Sequence, residues 1–209
     1  MDVLEKIFGS AAKVKIMRIF LFNPGIPYNL PSIVSRAKVN KNMARREVKL
    51  LQDICLIKQR AFFKNIEIKA KKSGAKSIIK KKKVRGWILN DTFSYLSTLQ
   101  RFLIHTSLLQ DKEIIKKFAK VGRIRLLIIS GIFIQEWESR VDLLIVGDNL
   151  KKTAIDSVIR NIESEVGKEL SYAAFETADF QYRLGMYDKL IRDILDYSHR
   201  KLINKLGLA

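Results

Sequence analysis

Cysteine and histidine are scarce in this chain of 209 residues, which holds one cysteine, Cys55, and two histidines. A single cysteine excludes an intramolecular disulfide and a zinc site built from a cysteine cluster. His105 and His199 have no acidic or cysteine partner at the spacing of metal ligands. Glycine-rich phosphate loops, nucleophile elbows and His-Glu-x-x-His motifs are also absent from the sequence. We therefore expect neither a resident metal nor a cofactor.

Long apolar runs are missing as well. The longest, from Leu126 to Ile134, is interrupted by Ser130 and Gly131, whereas a helix needs roughly 20 apolar residues to cross a bilayer. The amino-terminal residues show no basic segment ahead of a long apolar stretch, so no secretory signal is predicted. Because 47% of the residues are hydrophobic, the chain can bury a core. We expect a soluble, cytoplasmic protein of one or two domains with no membrane partner.

Acidic residues are few relative to basic ones, and the imbalance lies in one half of the chain. Residues 1–90 hold 22 Lys and Arg against 5 Asp and Glu, a formal charge of +17, whereas residues 91–209 hold 18 against 16, which is +2. A segment with so much positive charge repels itself unless a polyanion offsets it. Nucleic acid is favoured over anionic lipid, because the cluster Lys80 to Lys83 runs into a strand-like segment and not into an amphipathic helix.

Three helices are predicted before residue 55. Ser10 caps the first, which runs from Ala11 to Phe22, and the second is a short helix that begins near Pro31. Asn40 caps the third, which runs from Lys41 to about Ile54.

The third helix is amphipathic at 100° per residue. Its predicted apolar arc consists of Met43, Ala44, Val48, Leu50, Leu51 and Ile54. Its opposite arc carries Lys41, Asn42, Arg45, Arg46, Lys49 and Gln52. Glu47 falls on the apolar side, where a neighbouring cation or backbone donor has to satisfy it. Because Arg can bind guanine, Asn can bind adenine and Lys can hold phosphate, the polar arc suits the major groove of DNA.

The pattern becomes β-like after Cys55. Residues 56–63 and 83–89 predict the two strands of a hairpin, and its long basic tip surrounds Ser73 and Gly74.

Three segments, Leu30 to Ala37, Asn40 to Leu51 and Cys55 to Lys58, resemble the winged helix-turn-helix transcriptional regulators, and the resemblance extends over about Ser10 to Leu89. It implies an α+β winged helix-turn-helix domain at residues 1–90, with the helix after Asn40 as the recognition helix and the lysine-rich tip as the wing. The residues that it implies for DNA binding are Ser32, Arg36, Lys38, Lys41, Asn42, Arg45, Arg46, Lys49, Lys71, Lys72, Lys76, Lys80, Lys81, Lys82 and Lys83.

Cys55 departs from that family, which usually has a glycine there in a left-handed conformation. Either Cys55 is strained, or the helix ends differently. We expect its side chain to be a small buried apolar group and not a reactive thiol.

The second half predicts a different architecture. Residues 91–122 predict connecting helices, and residues 123–209 predict an α/β domain in which strand, strand, helix and strand follow one another. The predicted elements are strands at 125–129, 141–146 and 170–175 and a helix at 153–166, with carboxyl-terminal helices at 178–184, 187–195 and 199–206.

Around its first two strands this domain resembles the small nucleotidyltransferase domain of the polymerase-beta-type superfamily, over about Arg123 to Tyr197. In that superfamily a Gly-Ser pair contacts the triphosphate, and an Asp-x-Asp pair on the next strand holds two magnesium ions. Here the pair reads Ser130-Gly131, Arg140 takes the place of the first Asp, and Asp142 alone remains. The resemblance therefore implies a vestigial nucleotide site without metal or catalytic residues.

We interpret the chain as a sequence-specific regulator that binds double-stranded DNA through residues 1–90. The small α/β nucleotidyltransferase-like domain would then serve for homodimerisation, partner contact or ligand sensing. One alternative is an active nucleotidyltransferase that modifies protein or RNA and uses the basic domain to dock its substrate. Another is an antitoxin-like or scaffolding protein whose basic half binds RNA.

Overall fold

A computed structural model describes residues 3–68, 78–104 and 109–208. The chain forms two compact units, Met1–Arg101 and Phe102–Ala209. The boundary falls inside a helix, so the predicted connecting segment 91–122 is divided between the two units. Both units mix helices with a small sheet.

The first unit begins with four helices, and side-chain caps set where three of them start. They are α1 (Val3–Phe8), α2 (Ala11–Phe22), α3 (Leu30–Ala37) and α4 (Lys41–Asp53). The Ser10 hydroxyl accepts from the Lys13 amide at 3.2 Å, and the Asn29 and Asn40 side chains cap α3 and α4 in the same way. The predicted helix starts are confirmed, because a cap needs only residues that are adjacent in sequence.

A long antiparallel hairpin follows, formed by β1 (Ile57–Ile68) and β2 (Ile78–Leu89). Tyr28 extends this sheet by one bridge, because its amide and carbonyl both bond to those of Trp87, at 2.8 and 2.9 Å. The close approach depends on the neighbouring Gly86, where a Cβ atom would lie 2.4 Å from the Tyr28 oxygen. The predicted hairpin is confirmed, and the bridge connects it to the segment ahead of α3.

The core of the first unit is centred on α2. Ile16, Ile19 and Phe20 of α2 are fully buried, and Ile33 and Leu51 meet them from α3 and α4. At the base of the hairpin, Ile57 and Leu89 are buried. Along β2 the buried positions end at Gly86, and Lys80, Lys81, Lys82 and Lys83 beyond it are exposed.

The second unit contains a four-stranded sheet flanked by helices. After α5 (Leu96–Ile104), which spans the boundary, its elements are α6 (Asp111–Phe118), β3 (Arg123–Ile129), β4 (Leu143–Asp148), α7 (Lys152–Val166), β5 (Tyr172–Glu176), α8 (Thr177–Gly185), α9 (Lys189–Asp196) and β6 (Arg200–Asn204). The strand order is β5-β4-β3-β6, with β4 and β5 parallel and the other pairs antiparallel. The predicted order of three strands and the helix between them is confirmed.

The predicted last helix at 199–206 is wrong, because this segment contains β6. It pairs with the outer edge of β3, where Leu126 lies opposite Asn204 and Ile129 opposite Arg200. A strand there satisfies backbone groups of β3 that would otherwise form an open edge.

Both faces of the sheet are covered. Leu126, Ile128, Leu144 and Val146 share one face and pack against Phe180, Ile191 and Ile194 of α8 and α9. Residues of the opposite face, Leu127 and Ile145 among them, are buried as well. Burial on both sides explains why these strands are almost continuously apolar. No helix in the described residues is long and apolar enough to span a membrane.

Candidate nucleic-acid interface

Most of the exposed residues of α4 are polar or cationic. Its buried stripe consists of Ala44, Glu47, Val48 and Leu51, at the i, i+3, i+4, i+7 spacing of one helix face. The remaining surface exposes Lys41, Asn42, Arg45, Arg46 and Lys49, the five residues that the sequence assigns to this helix. We call these five residues the outer face of α4.

The predicted apolar arc of α4 is too wide. Met43, Leu50 and Ile54 are 42%, 44% and 55% exposed. The buried stripe covers about 100° of the helix circumference, which is the width that packing on a core requires. These three side chains lie beside that stripe and remain exposed.

Glu47 is a buried carboxylate, only 1% exposed, at the contact between α2 and α4. The Ser10 hydroxyl donates to its Oε1 at 3.0 Å, and the Arg46 guanidinium lies 3.2 Å from the same oxygen. The Lys13 ammonium lies 3.9 Å from Oε2. The expectation that neighbouring donors satisfy Glu47 is confirmed for Oε1 only, because Oε2 is buried without a hydrogen bond from any residue described and has the Lys13 charge nearby. The contacts of Oε1 join α4 to the capped start of α2.

The cations of the outer face therefore differ in their surroundings. Arg46 is paired with Glu47, although its side chain is 67% exposed. Within the described part of the chain, Arg45 and Lys49 form no ion pair. Their charges are available to an external anion without breaking an internal contact.

Two of the three residues assigned to α3 and the following turn contact other parts of the first unit. The Ser32 hydroxyl accepts from the Lys64 ammonium of β1 at 2.8 Å. The Arg36 guanidinium stacks 5.2 Å from the centre of the Tyr28 ring. Lys38 ends α3 in a left-handed conformation, with φ 51°, and its side chain is exposed.

The outer part of the hairpin brings lysines directly opposite one another. Lys64 faces Lys82 across the two strands, and Lys81 and Lys83 alternate with them on the other side of the pleat. Lys80, Lys81, Lys82 and Lys83 are all exposed. Like charges directly opposite destabilise a strand pair, so this end of the hairpin favours a bound anion. Lys71, Lys72 and Lys76, also assigned to this tip, lie outside the described residues.

Hydrogen bonds join the hairpin to the end of α4. The Trp87 indole N–H donates to the Gln52 Oε1 at 2.7 Å, and the Gln59 amide donates to the same oxygen at 3.4 Å. Sequence reasoning missed this connection, because Gln52 was only one of several polar residues on α4. The available signal was the tryptophan, since a half-buried indole N–H usually finds an acceptor.

Cys55 closes α4 in the left-handed conformation, with φ 62°. The Cys55 amide bonds to the Gln52 carbonyl at 2.9 Å, and the Leu56 amide bonds to the Leu51 carbonyl at 3.0 Å. These two bonds form a Schellman motif, which explains why a strained backbone is tolerated without glycine. The expectation of a buried side chain is wrong, because Cys55 is exposed.

The structure brings together three of the four residues assigned to the vestigial nucleotide site. The Asp142 carboxylate accepts from the Ile132 and Ser171 amides, both at 2.9 Å, and lies against Gly131. The Ser130 hydroxyl is buried and donates to the Val141 carbonyl at 2.6 Å. Asp142 therefore links the turn after β3 to the start of β5, with both oxygens engaged.

Arg140 lies apart from that group, in an ion pair with Asp193 of α9. The strand predicted at 141–146 begins two residues later, at Leu143, so Asp142 as well as Arg140 precedes β4. Residues two positions apart share a face only within a strand, so strand geometry does not place the side chains of Arg140 and Asp142 on one side.

A second carboxylate, Glu176, lies at the far end of β5. It accepts from the Asn149 and Leu150 amides at 3.1 and 2.9 Å. Since Asp142 bonds to Ser171 at the start of β5, roughly 16 Å of strand separates the two carboxylates. No cluster of three potential metal ligands occurs among the residues described.

Comparisons with protein families, curated proteins and solved structures find no match to this chain.

Proposed function

We propose that the first unit binds double-stranded DNA and that the protein regulates transcription. The outer face of α4 supports this proposal, because it is an exposed helix surface of the size that a major groove admits. Arg45 and Asn42 supply the side chains that hydrogen-bond guanine and adenine edges, and Lys41 and Lys49 can hold the flanking phosphates.

The lysine hairpin supports the same proposal. The bridge from Tyr28, the helices α2 to α4 and the hairpin occur in the order expected of a winged helix-turn-helix domain. We assign the hairpin as the wing. Phosphates bound between Lys64 and Lys82 would offset their repulsion and release counterions from the DNA.

For the second unit we propose a nucleotidyltransferase-like domain without catalytic activity. Both oxygens of Asp142 are engaged by backbone amides, Arg140 is held by Asp193, and Glu176 lies at the other end of the strand. A pair of magnesium ions would need carboxylates that converge. A role in dimerisation, partner binding or ligand binding is consistent with these contacts.

The observation that carries the DNA proposal is the pairing of an exposed cationic helix face with exposed lysines on the adjoining hairpin. Fluorescence anisotropy with the full chain tests it, using duplex DNA, single-stranded RNA and heparin at physiological salt. We expect duplex DNA to bind at least about tenfold more tightly than heparin, since heparin offers charge without grooves.

Arg45→Ala provides the residue-level test. Loss of a guanine contact should weaken binding to a preferred duplex by about 1–3 kcal/mol and should weaken binding to random duplexes much less. Arg101→Ala, which removes an exposed arginine of α5, is the matched control for lost charge. Equal losses in the two variants would contradict base recognition by Arg45, and tighter binding of RNA than of duplex would contradict the DNA proposal.

A further inference from the structure

Gln52 lies on the same side of α4 as the proposed DNA-binding residues. It follows Arg45 by seven positions and Lys49 by three, a spacing that places the three side chains along one stripe of a helix. Gln52 is half-buried, whereas Arg45 and Lys49 are exposed. Its amide therefore lies where the outer face of α4 meets the hairpin.

The contacts of Gln52 fix which way its amide group is turned. An indole N–H can only donate, so the atom 2.7 Å from Trp87 Nε1 must be the amide oxygen. Gln59 donates to that oxygen as well. Rotation of the amide by 180° would set an NH₂ group against the indole N–H, which would leave a donor without an acceptor.

Trp87 is itself held in place. Its backbone amide and carbonyl both bond to Tyr28, and it pairs across the hairpin with Gln59. The Gln52 Nε2 group has no acceptor within the part of the chain that the structure describes. Gln52 therefore presents a donor of fixed direction beside Lys49.

We propose, on the basis of the DNA-binding function above, that Gln52 is a fixed hydrogen-bond donor for acceptors on the duplex. Its partners are phosphate oxygens, the guanine O6 atom, the thymine O4 atom or the N7 atom, which guanine and adenine share. A freely rotating glutamine reads adenine by donating and accepting at once. Gln52 cannot do so, because Trp87 and Gln59 both donate to its oxygen and occupy its two lone pairs.

The test compares Gln52→Glu with Asn65→Asp in full-length protein carrying Trp137→Phe. Gln52→Glu keeps an oxygen for Trp87 and replaces the outward NH₂ with a second oxygen. Asn65→Asp makes the same change of charge at an exposed hairpin position and is the control. Affinity for a random-sequence duplex is measured by anisotropy, and tryptophan emission then reports on Trp87 alone.

We expect Gln52→Glu to bind about tenfold more weakly than Asn65→Asp, with tryptophan emission as in the parent protein. If the two variants bind within about twofold of each other while Gln52→Leu weakens binding, then Gln52 only joins the helix to the hairpin and the proposal is wrong. If the parent protein shows no preference for duplex DNA over heparin, both the proposed DNA-binding function and the proposal for Gln52 are wrong.

Selection of bound fragments from random duplex DNA identifies the acceptor. A phosphate partner predicts that Gln52→Glu weakens binding without changing the selected sequence. A base partner predicts that one guanine or thymine preference disappears. Loss of a preference for adenine over guanine in Gln52→Glu would overturn the proposal, since that choice requires an amide that also accepts from the adenine N6 group.

Discussion

Replacement of Glu47 by alanine removes the buried carboxylate between α2 and α4. The Ser10 hydroxyl loses a charged acceptor at 3.0 Å, and bonds of that kind contribute about 1.5–3 kcal/mol. The pair with Arg46 adds at most about 1 kcal/mol, because the arginine side chain is 67% exposed. We expect Glu47→Ala to lower the free energy of unfolding of the first unit by about 2–4 kcal/mol, including the loss of packed side-chain atoms.

The assay is urea unfolding of the full chain in a Trp137→Phe background, so that emission comes from Trp87 in the first unit. This choice matters because two units can unfold separately, and a single transition for the whole chain is not assured. Asp53→Ala is the control, since it removes an exposed acid from the same helix. We expect the control to change the free energy of unfolding by less than about 0.5 kcal/mol.

Glu47→Leu separates packing from charge. A leucine of similar volume fills the site without a carboxylate, and such replacements of buried ions are often neutral or stabilising. The reasoning would be refuted if Glu47→Ala were no more destabilising than Asp53→Ala. A loss of stability in Glu47→Leu as large as in Glu47→Ala would show that the carboxylate itself, and not the filled volume, stabilises this contact.

Three further predictions concern other contacts. Gly86→Ala should lower the free energy of unfolding by about 1–3 kcal/mol in urea titrations, because the new Cβ would clash with the Tyr28 oxygen; an unchanged midpoint would contradict the close approach. The Tyr172 hydroxyl donates to Asp156 at 2.5 Å, which raises the pKa of Tyr172 above its usual value near 10. The bond stabilises the parent protein fully below that usual value, and this stabilisation is lost as pH rises through the raised pKa. We therefore expect the free energies of unfolding of the parent and of Tyr172→Phe to differ below about pH 10 and to converge above it, as urea unfolding at several pH values would show. Lys81→Ala removes a lysine that faces Asn65 and no opposing cation, and it should reduce the slope of log affinity against log salt concentration by about one.

The parts of the fold that depend on adjacent residues follow from the sequence. Ser10 and Asn40 start their helices as predicted, because a cap bonds to an amide two or three positions away. The hairpin was also predictable, since its alternating apolar base and basic tip are local patterns. In each case the partner that stabilises the element is close in the chain.

The errors arise where a distant partner decides the outcome. The exposure of Leu50 depends on how much of α4 the core of the first unit can cover. The last strand was missed because only pairing with β3 makes it a strand. The Gln52 contact joins residues 35 positions apart, so no local pattern could reveal that this amide has a fixed orientation.

Salt has two opposing effects on this protein, because Lys64 and Lys82 lie opposite each other in the hairpin. Added ions screen their repulsion and so stabilise the unbound hairpin, while the same ions compete with the hairpin for phosphates. At low ionic strength, DNA relieves a strain in the free protein that concentrated salt would already have removed. The apparent number of ions released on binding therefore combines both contributions, and it is not a direct count of the cations that touch the duplex.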